Sequence, residues 1–281
     1  MVQEQMKMKM IPVVLMLCAC TRTNMIKYEY GVFLGLDSDD TDCMEEYRII
    51  VLDAQYFDKE QIQALKKSGH TVYSYINLGS LENFRPYYDK YSKYTLDVYE
   101  NWEEERWVDV SAPEWQTFMQ ELAVELTDKG CDGLFVDNTD VYYHYPTEDI
   151  FDGVTAILRS FREQGAYISI NGGDAYVSEY ADRFGDLDII DAVNQETVFS
   201  AIDFDSGTFS RNDPDEQRYF TEYTDKVSSF GKDVYLLEYT SDKALINETD
   251  RFCKDRGYRW YASQTLELLY PSADGSQRVI E

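Results

Sequence analysis

Histidine is nearly absent: His70 and His144 are the only two in 281 residues, and they stand far apart in sequence. That scarcity argues against a His-rich metal site and against a Ser-His-Asp triad. Cysteine adds little. Cys18 and Cys20 fall near the start, while Cys43, Cys131 and Cys253 are widely spaced and odd in number. They give neither a disulfide framework nor a CxxC metal site. Cys131, beside an apolar run, reads as a small core residue. No Gly-rich phosphate loop follows the first candidate strand, which argues against a doubly wound nucleotide-binding sheet. The acidic run Asp37, Asp39, Asp40 and Asp42 lacks the glycine and distal glutamate of a calcium loop, and reads as a solvated loop. Positive charge is also short, with 26 basic against 53 acidic residues and a net charge of -27. Such a field repels nucleic acid and anionic membrane surfaces and favours cationic partners. No cofactor and no metal are expected.

Aromatic residues and carboxylates are abundant. Aromatics make up 15% of the chain, with 24 Tyr and 4 Trp. Exposed rings of this kind stack on sugars, although most belong in a core. At the start, Lys7 and Lys9 precede the apolar run Met10–Leu17, which is too short to span a bilayer and reads as a secretory signal. Leu17-Cys18-Ala19-Cys20 follows directly and resembles a bacterial lipobox. The expectation is a lipoprotein signal peptide at 1–20, lipid attachment at Cys20, a tether at 21–30 and one domain at 31–281, anchored outside the cytoplasm.

Within that domain, apolar strand-like runs alternate with amphipathic helical ones. The strands begin with Tyr30–Leu36, and the later ones end on polar residues: Asp53, Asn77, Asp137, Asn171, Glu196, Glu238 and Gln264. Helices are expected at Asp58–Ser68, from Pro113 to Lys129 with a capping signal at Ser111 and Glu114, and at Thr147–Gln164. Others are expected at Asp174–Phe184, Asp213–Phe230 and Ser241–Arg256. Eight strands separated by helices in ~250 residues fit an α/β fold of the (β/α)8 TIM-barrel type. The polar strand ends would then meet in one bowl. A polar group closing a buried strand is costly unless it faces a cleft or a partner.

With no histidine base or metal cluster, paired carboxylates remain the chemistry at hand, and they suit glycoside hydrolysis. Asp137, followed by Asn138 and Asp140, and Glu196, two strands on, are the leading pair. Asp53 and Glu238 are further candidates. The segments YSYINLGSLENFRPYY, ERWVDVSAPEW, GCDGLFVDNTD and IIDAVNQE, in this order, resemble glycoside hydrolase family 114. That family is named for endo-α-1,4-polygalactosaminidases and has a (β/α)8 fold. The resemblance runs from about Arg48 to Gln264, and it implies a catalytic Asp at Asp137 and a catalytic Glu at Glu196. The expected substrate is a cationic amino-sugar polysaccharide, drawn to an acidic bowl. Asn77, Glu82, Arg85, Trp102, Trp107, Asn138, Asp140, Asn171 and Gln264 are expected to join Asp53 and Glu238 around it, with Tyr87 framing the cleft. Two alternatives stay open: a non-catalytic glycan-binding lipoprotein on the same barrel, and a hydrolase of another amino-sugar polymer.

Overall fold

The computed structural model describes residues 26–39, 41–100 and 102–276. The expected signal peptide, Cys20 and residues 21–25 of the expected tether lie outside them, as do 277–281. The central sheet contains eight parallel strands: β1 (Tyr28–Phe33), β2 (Tyr47–Leu52), β3 (Thr71–Asn77), β4 (Gly133–Asp137), β5 (Tyr167–Asn171), β6 (Ala192–Glu196), β7 (Asp233–Tyr239) and β8 (Arg259–Ser263). Each pairs in parallel with the next in sequence. Pro271–Ser276 adds an antiparallel strand to β8. β1 and β8 face each other across the remaining gap. There Phe33 meets Tyr261 edge-on at 5.4 Å, and Arg259 lies 3.7 Å from Glu29. The result is a nearly closed (β/α)8 barrel, as the strand count predicts. The first strand starts two residues earlier than expected, so Tyr28–Tyr30 are sheet and not tether. Leu34–Asp37 turn onto the barrel mouth instead of extending the strand.

Helices α1 (Lys59–Lys67), α2 (Pro113–Lys129), α3 (Glu148–Glu163), α4 (Asp174–Phe184), α5 (Pro214–Ser229) and α6 (Lys243–Arg256) connect the strands. Their ends follow from local chemistry. The Asp58 carboxylate accepts from the Gln61 N–H, and the Gln61 side chain accepts in return from the Asp58 N–H, both at 2.8 Å. Pro113 opens α2, where it leaves no amide unpaired. Gly130 closes it at φ 116°, a conformation that strains residues with a side chain. The expected Ser111–Glu114 capping box does not form. Ala112 occupies the cap, and the Ser111 hydroxyl turns back to Asp109 at 2.5 Å. Trp115, fully buried, donates its indole N–H to the Leu78 carbonyl at 2.9 Å and so docks α2 under the end of β3. Truncating such a ring costs about 3–5 kcal/mol.

Two excursions rise from the C-terminal ends of the strands. The long insertion after β3 forms a three-stranded antiparallel sheet from Ser80–Glu82, Thr95–Val98 and Glu105–Val108. A hairpin after β6 pairs Ser200–Asp203 with Thr208–Arg211. Both lie at the barrel mouth, where they bring Glu82, Glu105 and Ile202 to one cavity.

Candidate active site

The cavity at the mouth encloses about 600 Å³. Asp137 ends β4 and Glu196 ends β6, so parallel strands of a barrel deliver both to the same end. Asn171, at the end of the intervening β5, joins them. Its Nδ2 donates to Asp137 Oδ1 at 2.9 Å and to Glu196 Oε1 at 2.7 Å. Bonds of that length to one nitrogen hold the two carboxylate oxygens no more than about 5.6 Å apart. Each carboxylate is also followed by a non-glycine residue in the left-handed region, Asn138 at φ 63° and Thr197 at φ 53°. For β-branched Thr197 that is an unfavourable conformation, of the kind that collects at functional sites. Asn212 holds the turn by donating to the Thr197 carbonyl at 2.8 Å.

Electrostatics separates the carboxyls by surroundings. Burial and the nearby Asp137 charge push Glu196 up to about 7, against the opposing hydrogen bonds from Asn171 and Tyr239. Burial also raises Asp137, which is held back by Asn171, the Asn138 backbone N–H and Tyr75. Asp140 is pushed to about 7 by burial and by the charges of Asp174 and Asp137. Glu105 reaches about 7 through burial and the charges of Glu82 and Asp137, although Ser80 donates to it at 2.5 Å.

Arg85 is the one Lys or Arg among the described residues lining the cavity, and it is already paired. It bonds Glu82 through Nε at 3.0 Å and Nη2 at 2.8 Å, and Asp53 through Nη1 at 2.7 Å. This fork geometry suits a guanidinium and not an ammonium. Burial raises Asp53 and the Arg85 guanidinium pulls it back down. The eight lining carboxylates therefore face the cavity with one neutralised cation among them, and the field inside is negative. Among the described residues no group of His, Cys, Asp or Glu side chains is arranged to hold a metal ion.

Of the residues expected in the bowl, Asp53, Glu82, Arg85, Trp102, Asn138, Asp140 and Asn171 line the cavity with Asp137 and Glu196. Four do not. Asn77 is buried beneath it, where its carbonyl accepts from the Ser80 N–H at 2.9 Å and from Asn138 Nδ2 at 3.1 Å. Trp107 is 3% exposed and stacks between Tyr99 and His144, each at 4.4 Å, so it packs the insertion. Glu238 is 1% exposed and turns into the wall, accepting from Phe199 N–H, Ser200 N–H and the Ser200 hydroxyl. Gln264 is exposed and donates to the Pro271 carbonyl at 2.9 Å, which ties the chain after β8. Tyr87 packs its ring on Phe118 at 4.6 Å and donates its hydroxyl to Gln55 at 3.2 Å, so it stands behind the lining residues and does not line the cavity itself. Sequence reasoning missed Tyr56, Phe84, Tyr99, Glu105, Phe204 and Tyr239, all of which line it. Phe84, Tyr99, Glu105 and Phe204 come from the two excursions, Tyr56 from the turn after β2 and Tyr239 from the end of β7, and only their aromatic or acidic character marked them. The acidic run is also more than a solvated loop, since Asp37 lines the cavity.

The fold resembles solved glycoside hydrolases. The glycoside hydrolase domain of PelA from Pseudomonas aeruginosa superposes with a TM-score of 0.74 at 18% identity, covering 88% of this chain and 98% of that one. Ega3 from Aspergillus fumigatus, solved in complex with galactosamine, gives 0.69 at 18% identity, covering 90% and 96%. The α-galactosidase TtGalA of Thermus thermophilus is more distant, at 0.56 and 11% identity, covering 87% and 60%. At such identities the likeness concerns the fold. A curated relative, an uncharacterized protein of Methanocaldococcus jannaschii, is 22% identical over 215 residues, which are 71% of this chain and 60% of that protein's length. The model of glycoside-hydrolase family GH114 matches residues 21–277, and the chain belongs to that family.

Proposed function

We propose that the protein hydrolyses α-1,4-linked galactosamine polymers with retention of configuration, using Asp137 as nucleophile and Glu196 as general acid/base. The observation that carries the reading is the Asn171 bridge. The bridged oxygens of the pair are at most about 5.6 Å apart, which supports the close spacing of retaining carboxyl pairs, ~5–5.5 Å, over the ~6.5–9.5 Å that leaves room for an inverting water. Glu196, raised to about 7, carries a proton to give at neutral pH. Asp137 keeps three donors on its carboxylate, which favours the ionised form that attacks. In the first step an Asp137 oxygen bonds the anomeric carbon as the glycosidic C–O bond breaks and Glu196 protonates the leaving oxygen. In the second, Glu196 takes a proton from water, which attacks that carbon and releases Asp137. The negative cavity favours free amines on the sugar, an attraction that salt weakens. Ega3 was solved with galactosamine, which fits the same substrate class.

The proposal extends to location. Leu17-Cys18-Ala19-Cys20 after the apolar run supports acylation at Cys20, which would hold the barrel at the outer face of a membrane. The described residues include no helix long and apolar enough to cross one. The functional test is a panel of de-N-acetylated galactosamine oligomers, fully acetylated ones and chitosan, read by new reducing ends. Cleavage of the de-N-acetylated galactosamine chain, with KM rising as salt is added, is expected. Binding without new reducing ends would replace the enzyme with a glycan-binding role.

A further inference from the structure

The bridge between the two carboxylates depends on which way one amide points. Asn171 can turn over about its terminal torsion with little change of shape, since that torsion is broad and roughly two-fold. In the turned form its carbonyl, and not its N–H groups, would face two acids. Nothing in the shape of Asn171 forbids this, so the choice must come from its other partners. Asn194 lies directly across the strand pair, in register with Asn171, and is fully buried. Its Nδ2 donates to Asn171 Oδ1 at 2.7 Å. Asn194 has the same two-fold ambiguity, and its Oδ1 accepts from the Tyr30 hydroxyl at 2.9 Å. Tyr30 arrives from β1, across the barrel interior, and is held by stacking on Tyr235 at 4.5 Å. Burial keeps that phenol protonated, so it can donate.

These bonds run in one direction, from the Tyr30 O–H through two amides to two carboxylates. We propose that Tyr30 and Asn194 are positioning residues that fix the polarity of the Asn171 amide, so that it presents N–H groups to Asp137 and Glu196. The inference rests on the reading of that pair as the reacting one, but it concerns hydrogen-bond direction and is testable without substrate. Turning either amide over would oppose two carbonyls or leave a buried donor unpaired, and a buried chain of this kind is all-or-none in its satisfaction. The other groups facing the pair are Glu82, Glu105 and Asp140 beside Asp137, with Tyr75, Tyr99 and Tyr239 around the two acids. The side-chain hydrogen bonds of Asn194 run to Tyr30 and Asn171, and Tyr30 itself also lies within electrostatic reach of Glu196, Tyr73 and Tyr235, a direct effect that the Tyr30→Phe/Asn171→Ala double variant separates from the chain of donors.

The test is titration of the Asp137 and Glu196 carboxyls by carbon-13 NMR in the unliganded protein. Tyr30→Phe keeps the ring and its stacking and removes only the hydroxyl. It is expected to raise both carboxyl midpoints by about half a pH unit, because the ionised forms lose part of their donor. Asn171→Ala should raise them by about one unit or more. In the Tyr30→Phe/Asn171→Ala double variant the Tyr30 effect should vanish, since it acts through Asn171. Asn194→Leu gives a second route to the same non-additivity. Unmoved midpoints in Tyr30→Phe, or a Tyr30 effect that persists undiminished without Asn171, would overturn the proposal. Failure of the protein to cleave any glycan would leave these midpoints readable and would count only against the proposed reaction.

Discussion

Replacing Arg85 by Met tests the electrostatic frame of the cavity. The guanidinium is 3% exposed and makes three bonds of 2.7–3.0 Å, two to Glu82 and one to Asp53. Met fills similar space but leaves two buried carboxylates without their partner. Breaking a buried ion pair by removing one side costs about 3–5 kcal/mol. For a domain of this size that lowers Tm by roughly 10 °C. The loss should depend on pH. Asp53 already sits above the ordinary carboxylate range through burial, and the Arg85 charge is what pulls it down. Without Arg85 its folded pKa rises further above the unfolded value. A group shifted that way contributes stability at low pH and loses it as pH rises through the folded pKa. The variant should therefore be most destabilised at pH 7.5 and recover part of the difference at pH 5. The parent protein also loses stability over that range, because burial holds Glu105, Asp140, Glu196 and Glu238 near 7. The comparison is thus made against the parent at each pH, by thermal unfolding followed by circular dichroism. A Tm difference of under ~2 °C, or one equal at both pH values, would refute the reasoning.

Other consequences concern the same mouth. Glu196 must be protonated to act as acid, so kcat/KM should fall on the alkaline side through about 7, while ionisation of Asp137 sets the acid limb; a pH–rate profile checks this. Trp102, 37% exposed and lining the cavity, should on truncation to Ala raise KM about 3–10-fold with little change in Tm. Trp107→Ala should do the reverse, losing about 3–5 kcal/mol of stability, and paired kinetics and melting curves separate the two. Gly79→Ala would place a Cβ 1.8 Å from the Asn138 carbonyl, so the backbone after Asp137 must move. It should cost about 1–3 kcal/mol and lower kcat, measured in the same two assays.

What the sequence made legible divides along physical lines. Helix ends were readable because caps are local: Asp58 and Gln61 satisfy each other within one turn, and Pro113 and Gly130 act through their own backbones. Ser111 was misread because Asp109, two residues back, offered its hydroxyl a nearer acceptor. The polar strand ends located the mouth, but a strand end does not say which way its side chain turns. Glu238 sits one strand beyond Glu196 and looked equivalent, yet the backbone of Phe199 and Ser200 captures it in the wall. The aromatics of the insertion were harder still. Trp102 and Trp107 stand five residues apart, and only the antiparallel pairing of Glu105–Val108 decides that one is buried and the other faces the cavity. Glu105 entered the cavity by the same pairing, with no motif to announce it.

The central claim is that Asp137 and Glu196 form a retaining pair. The most direct measurement follows the anomeric protons of the first-formed products by NMR while the parent protein, Asp137→Asn and Glu196→Gln each act on de-N-acetylated α-1,4-galactosamine oligomers. The account predicts α-configured first products from the parent. It also predicts a rate loss of about 10²–10⁴-fold or more in either variant, with each variant folded and still binding the oligomer. β-Configured first products, or parental turnover in either variant, would contradict it.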